Sequence, residues 1–142
     1  MGISEKALIL ELIPQREPIV MVDYFQAEED GTSSTQLQIK EDNIFCDDYA
    51  FQECGLVEHI AQSAAARLGN AYFSKNMDIP IGYIGSVDKM KIISLPLIGE
   101  LLKTRLKVIQ ELLGITLINA EVYSNDKLIA ECKMKIFINE DK

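Results

Sequence analysis

The sequence predicts an α+β domain, a curved antiparallel β-sheet wrapped around one long central α-helix, spanning residues 1–142 as a single domain. Three observations predict it. A stretch of roughly 20 residues carries apolar side chains at four-residue spacing, the pattern of a buried helix. Behind it, apolar residues switch to alternation, the period of half-buried strands. Ahead of it stand a short helix and two strands. At 142 residues the chain is long enough to bury a core without metals or disulfides. With 48% hydrophobic and 25% charged residues it has the composition of a folded globular protein, not a disordered one.

Taken in order, Ser4 is a good N-cap and residues 5–12 read as a short helix that Pro14 terminates. Ile19 to Phe25 is a continuous apolar and β-branched run, hence a buried strand. Glu28-Glu29-Asp30-Gly31 is a turn, after which Thr35, Leu37 and Ile39 alternate with polar residues, so the first two strands form a hairpin. Residues 41–50 are irregular and acidic. Leu56, Ile60, Ala64, Leu68 and Tyr72 then mark the central helix, whose face is rich in small residues (Ala61, Ala64, Ala65, Gly69). Strands follow over 79–87, 101–109, 118–122 and 130–138, turning at Gly114 and at Asn125-Asp126-Lys127, and they read as a meander of long antiparallel strands. Such a half-open sheet leaves its edges and one helix face uncovered, which predicts a homo- or hetero-dimer or a higher oligomer.

Composition removes several function classes. Fourteen Lys+Arg against 22 Asp+Glu give a formal charge of −8, which disfavours non-specific nucleic-acid binding. The single histidine removes most hydrolase triads and His-rich metal sites built within one chain, unless a second chain contributes. Cys46, Cys54 and Cys132 are odd in number and lack a C-x-x-C pair, so a disulfide framework is not expected and a reducing cytoplasm is. The first residues lack the basic and apolar regions of a signal peptide. The apolar stretch over 54–73 is interrupted by Glu58, His59, Gln62 and Arg67, too polar to span a bilayer. Gly82-Tyr83-Ile84-Gly85 lacks the spacing of a phosphate loop, and no His, Cys or acidic pair has metal-ligand spacing, so no cofactor or metal is expected.

Few residues are left to carry chemistry. Glu58 lies in the first turns of the central helix among Leu56, Val57, Ile60 and Ala61. A buried carboxylate needs a partner or a raised pKa, and the latter suits a general acid. The plainer reading is a solvated charge at a helix N-terminus. Gln62, one turn on, shares its face and can bond Glu58 or a ligand. His59 has a suitable pKa but points about 100° away from Glu58, so the two cannot act together on one face of one chain. Cys54 precedes the helix and has no histidine arrangement to make it a nucleophile. Lys89 and Lys91, and Lys103, Arg105 and Lys107, are either solvated faces or a docking patch for an acidic partner.

Three blocks carry a resemblance. Leu12-Ile13-Pro14-Gln15-Arg16-Glu17-Pro18-Ile19-Val20-Met21-Val22-Asp23 resembles the L-L-P-H-R-x-P-x-L-L-V-D opening of the β-hydroxyacyl-acyl-carrier-protein dehydratases. Leu56-Val57-Glu58-His59-Ile60-Ala61-Gln62-Ser63-Ala64-Ala65 resembles their L-I-I-E-A-M-A-Q-A-A helix, and Gly85-Ser86-Val87-Asp88-Lys89-Met90-Lys91 is similar to their G-I-D-K-A-R-F strand end. The blocks keep the family's order across essentially the whole chain, and they imply the hotdog fold. In that family a histidine and a helix carboxylate from opposite subunits remove water from a 3-hydroxyacyl thioester. The histidine belongs to a G-H-F-P-G segment. Here that segment is Asn43-Ile44-Phe45-Cys46-Asp47, with Ile44 in the histidine's place and Gly55 displaced. The departure resembles a divergent dehydratase-like branch found near aryl-polyene and related pigment gene sets.

The resemblance implies a 3-hydroxyacyl-carrier-protein dehydratase-like protein of fatty-acid or polyene-type biosynthesis. Its ligand would be a carrier-bound or CoA acyl thioester. Glu58 would be the acid/base and His59 a secondary candidate, with Gln62, Phe45 and Gly55 at substrate-binding positions and Lys89 with Lys91 meeting an acidic carrier. Two alternatives stand beside it: a hotdog thioesterase, and a non-catalytic subunit completing the site of a histidine-bearing dehydratase.

Overall fold

In the computed structural model, which describes residues 2–3 and 6–139, the chain runs β1 (Gly2–Ile3), α1 (Lys6–Leu12), β2 (Tyr24–Ala27), β3 (Ser33–Gln38), β4 (Cys46–Asp47), β5 (Ala50–Phe51), α2 (Glu53–Phe73), β6 (Ile81–Ile92), β7 (Leu101–Leu112), β8 (Ile115–Ser124) and β9 (Lys127–Asn139). The Ser4 cap lies outside the described residues. Seven strands form one sheet in the order β1-β2-β3-β7-β8-β9-β6, and every neighbouring pair is antiparallel. β4 and β5 make a separate two-stranded ladder inside the segment expected to be irregular.

The alternation along the strands decides which face is buried. On β7, Leu102, Thr104 and Leu106 are buried while Leu101, Lys103, Arg105 and Lys107 are exposed. Leu56, Ile60 and Ala64 of α2 pack against Leu102, Leu106, Ile118, Ala120, Cys132 and Met134 on that inner face. A second cluster joins α1 to the other side of α2 through Ile9, Leu12, Ile13, Val22, Phe25 and Ala66. α2 therefore has apolar neighbours on two sides, which is why its buried positions are spread around the helix and include His59, Gln62 and Ser63. Among the described residues no helix is long and apolar enough to cross a membrane.

Two expectations are corrected. The run from Ile19 to Phe25 is not one strand: pairing with β3 begins only at Tyr24. Val20, Met21 and Val22 are buried as their apolar character requires, but side chains of α2 satisfy the Met21 backbone in place of a neighbouring strand. The last four strands are not a simple meander either. β7, β8 and β9 are, whereas β6 lies on the far edge beside β9. Two register shifts, between Ile84 and Ser86 and between Asp88 and Lys91, interrupt the β6–β9 ladder.

The small residues of α2 permit close approach at one decisive place. A Cβ on Gly69 would lie 2.0 Å from the Leu12 carbonyl oxygen, so the end of α1 rests directly on the α2 backbone. Gly69→Ala is expected to lower unfolding free energy by about 1–3 kcal/mol in urea titration, the usual cost of overpacking. Gly82→Ala, whose added methyl would meet Ile136 at an ordinary 3.5 Å, is expected to leave the urea midpoint nearly unchanged.

Candidate active site

Gln62 organises the site. Its side chain is fully buried and uses every polar atom. Oε1 accepts from the Met21 N–H at 2.6 Å, while Nε2 donates to the Ile19 carbonyl and to Glu58 Oε2, each at 2.7 Å. Because a backbone N–H only donates and a carbonyl only accepts, this arrangement fixes which way the amide faces. Glu58 is half-buried and receives a hydrogen bond from one turn further along its own helix. The glutamine both holds the 19–22 segment against α2 and orients the carboxylate.

His59 faces the other way, as the helical offset requires, and is 0% exposed. Its Nδ1 lies 2.7 Å from the Met21 carbonyl, so Nδ1 carries the proton and donates. Nε2, 2.7 Å from Thr104 Oγ1, then accepts from that hydroxyl. Ser63 donates to the His59 carbonyl and meets Thr35 Oγ1 at 2.6 Å, extending the network to β3. Burial holds the imidazole neutral, with its pKa pushed down to about 4, against the opposing pull of the Met21 hydrogen bond and the Asp23 charge. Both ring nitrogens are occupied.

Glu58 opens on a cavity of about 450 Å³. Ala61, Ala64, Ala65 and Leu68 of α2 line one wall, Leu12, Ile13 and Gln15 a second, and Ile118, Ile136 and the start of β6 the third. The surroundings are predominantly apolar, as in a pocket for an aliphatic ligand. Arg67 stands nine residues beyond Glu58, about 13–14 Å along the helix axis, and is paired with Glu111 at 3.8 Å.

The other sequence candidates are not brought to this cavity. A Cβ on Gly55 would lie 2.7 Å from both Phe45 and Phe51, so Gly55 lets those two edge-to-face rings close over the first turn of α2. Ile44 is 53% exposed on the neighbouring loop. Cys54 is exposed and Cys46 partly so, with burial raising the Cys46 thiol; Cys132 is buried and raised to about 11. All three thiols are free. Lys89 and Lys91 are exposed on β6, which extends past the expected end at Val87, and Lys91 faces Glu131 at 3.9 Å. Among the described residues no cluster of three or more His, Cys, Asp or Glu is placed to hold a metal ion. Sequence reasoning did not find Gln15, Arg67 or the β8–β9 wall, because periodicity identifies buried faces and not which faces meet.

The clamp on Met21 has a pH signature. His59 binds its proton at about 4 in the folded chain, against an ordinary value of 6.5. The unfolded chain therefore takes up the proton first as pH falls, and the stability supplied by the neutral ring is complete above 6.5 and is lost down to about 4. Denaturant midpoints measured from pH 7 to 4 are expected to fall by the equivalent of about 3 kcal/mol from this group alone. His59→Asn, which keeps an N–H for the Met21 carbonyl, is expected to be less stable at pH 7 and to lose that part of the slope.

Comparison with known proteins adds the lineage. A family model described as ApeP-like, ApeP dehydratase, matches residues 7–142. Among solved structures, the dehydratase heterocomplex ApeI:P from Xenorhabdus doucetiae has a TM-score of 0.85 at 11% identity, over 94% of this chain and 91% of that one. An HP0420 homologue from Helicobacter felis gives 0.72 at 13%, over 100% and 95%. A hypothetical thioesterase protein with coenzyme A from Streptococcus pneumoniae gives 0.64 at 8%, over 81% and 85%. No curated protein matches the sequence. At these identities the structural likeness speaks to the fold, and the family match speaks to descent. The chain has the hotdog fold and belongs to the ApeP-like dehydratase family.

Proposed function

We propose that the chain is the carboxylate-bearing subunit of a 3-hydroxyacyl thioester dehydratase, acting on a carrier-bound acyl chain, with the second catalytic group supplied by a histidine-bearing partner subunit. One observation carries the reading: Glu58 is held by Gln62 at the wall of an apolar cavity, while the chain's single histidine is sealed in the core. Elimination of water needs a base at C2 and an acid at the C3 hydroxyl. The partner's base removes the C2 proton, the electron pair forms the C2=C3 bond, and the C3–O bond breaks. Glu58 gives its proton to the departing oxygen, which leaves as water.

His59 takes no part in that transfer, since neither ring nitrogen is free. Gln62 has no donor left for a ligand, so it positions Glu58 and does not bind substrate directly. Phe45 and Gly55 act through the packing of the first turn of α2, not through substrate. Of the two β6 lysines, Lys89 is the better carrier contact because Lys91 faces Glu131. The edge of β6, unpaired among the described residues and with Ile81 and Ile84 exposed beside the cavity, supports a second subunit at that edge, and a similar solved structure is itself a dehydratase heterocomplex. A second reading, thioester hydrolysis with Glu58 activating water, draws on the same lone carboxylate.

One assay separates them. Purified protein is given a 3-hydroxyacyl-carrier substrate, with and without a histidine-bearing homologue, and scored for enoyl product and for free thiol. Enoyl product is expected only in the mixture, with kcat falling about 10²–10⁴-fold in Glu58→Gln. Enoyl formation undiminished in that variant would remove Glu58 from the mechanism. Free thiol without enoyl product would establish the hydrolase.

A further inference from the structure

The outer face of the sheet, opposite α2, carries a feature that meets the cavity only at its edge, at Tyr83. At one end of the sheet four large apolar residues stand side by side across four strands. Leu112 of β7 pairs with Ile115 of β8, Ile115 with Phe137 of β9, and Phe137 with Tyr83 of β6. They are 59%, 37%, 40% and 53% exposed. The Phe137 ring lies over Gly85, where an added Cβ would come within 2.0 Å of it, so the absence of a side chain at Gly85 gives the aromatic its seat. Leu113, in the adjoining turn, is 91% exposed. Clustered exposed apolar side chains of this kind mark interaction sites.

Charge surrounds the row on one side. Moving inward along the same face, Lys135 lies between Leu117 and Ser86, and Lys133 between Asp88 and Asn119, which in turn faces Lys107, so three lysines stand against the one carboxylate of Asp88. None of these lysines has an ion pair among the described residues, in a chain whose net charge is −8. At the usual spacing of about 4.8 Å between strands, the apolar row spans about 14 Å, the length of between two and three helical turns. Because the row lies on a sheet face, its occupant docks through side chains and not by adding a strand. The row ends at Tyr83 on the edge strand, which together with its neighbours Gly82 and Ile84 lines the cavity.

We infer that this band is the docking surface for the acidic carrier that brings the thioester: an amphipathic helix whose apolar stripe covers Leu112, Ile115, Phe137 and Tyr83 while its carboxylates meet Lys133 and Lys135. The inference rests on the proposed dehydratase reading for the identity of the partner. Charge selects the partner, since a second copy of this acidic chain would bring no comparable excess of carboxylates to the lysines without its own lysines close by. Docking at the edge end places the tethered thioester beside Tyr83, at the wall of the Glu58 cavity.

The test separates docking from chemistry. Apo acyl carrier protein, with no thioester attached, is titrated against the assembled complex at low and physiological salt. Lys133→Glu with Lys135→Glu is expected to weaken binding at least tenfold at low salt and to flatten its salt dependence. Leu112→Ser is expected to weaken binding without changing that dependence, while Lys127→Glu, in the turn at the opposite end of the sheet, leaves affinity unchanged. In parallel, dehydration of a short pantetheine thioester lacking the carrier is expected to be the same in all variants. Wild-type carrier affinity in the Lys133/Lys135 double variant, or an equal loss in Lys127→Glu, overturns the docking surface. So does concentration-dependent self-association abolished by Leu112→Ser with carrier binding intact, or binding of the same residues to anionic vesicles in place of the carrier. If the apo carrier docks as expected and no thioester is dehydrated, the surface stands and the dehydratase reading falls.

Discussion

The peptide unit of Met21 is the point on which the site depends. Its N–H is taken by Gln62 and its C=O by His59, two α2 side chains three residues apart that point to either side of the same extended segment. A buried peptide with no strand beside it would leave a donor and an acceptor unsatisfied, each costing about 1–3 kcal/mol. Two side chains do what a neighbouring strand does elsewhere. In doing so they are themselves fully used: the glutamine has one remaining N–H, which it gives to Glu58, and the histidine has none. The clamp thus explains at once how the Met21 peptide is satisfied outside the sheet, why Glu58 has a defined orientation, and why the histidine beside it is removed from solvent.

This division of labour places a constraint on chemistry. Two neighbouring helix residues share one segment but serve opposite faces, so Glu58 reaches the cavity while His59 reaches Thr104 on β7. No rotation about a side-chain bond returns the imidazole to the cavity without breaking both of its hydrogen bonds. The proposed mechanism therefore asks this chain for one catalytic group and not two, and Ile44, the position matched to the histidine of the dehydratases it resembles, is exposed on its loop.

Much of this was legible in the residues. The alternation over β7, β8 and β9 gave their buried faces, and the four-residue spacing gave α2 nearly to its ends. Glu58 and Gln62, one helical turn apart, were bound to lie close. What could not be read were relations set by tertiary contact. The apolar run at 19–25 carried no mark to say that side chains, not a strand, would satisfy it. Local pattern also gave no sign that β6 would leave its sequence neighbour β7 and pair with β9. The cavity shared by Ala61, Gln15 and Ile136 draws on segments that only folding brings together.

The position of β6 has a consequence for how the molecule is assembled. β7 and β8 lie in the chain between β6 and β9, its one sheet neighbour among the described residues, so β6 has no such ladder to join until both have been made. The hairpins β7–β8 and β8–β9 close over short turns, whereas β6–β9 closes a long loop and bears the larger entropic cost. Residues Ile81 to Ile84, one wall of the cavity, are thus expected to be among the last to find their place on a growing chain. Until then an apolar strand waits unpaired, and the pocket exists only once the final strand has arrived to receive it.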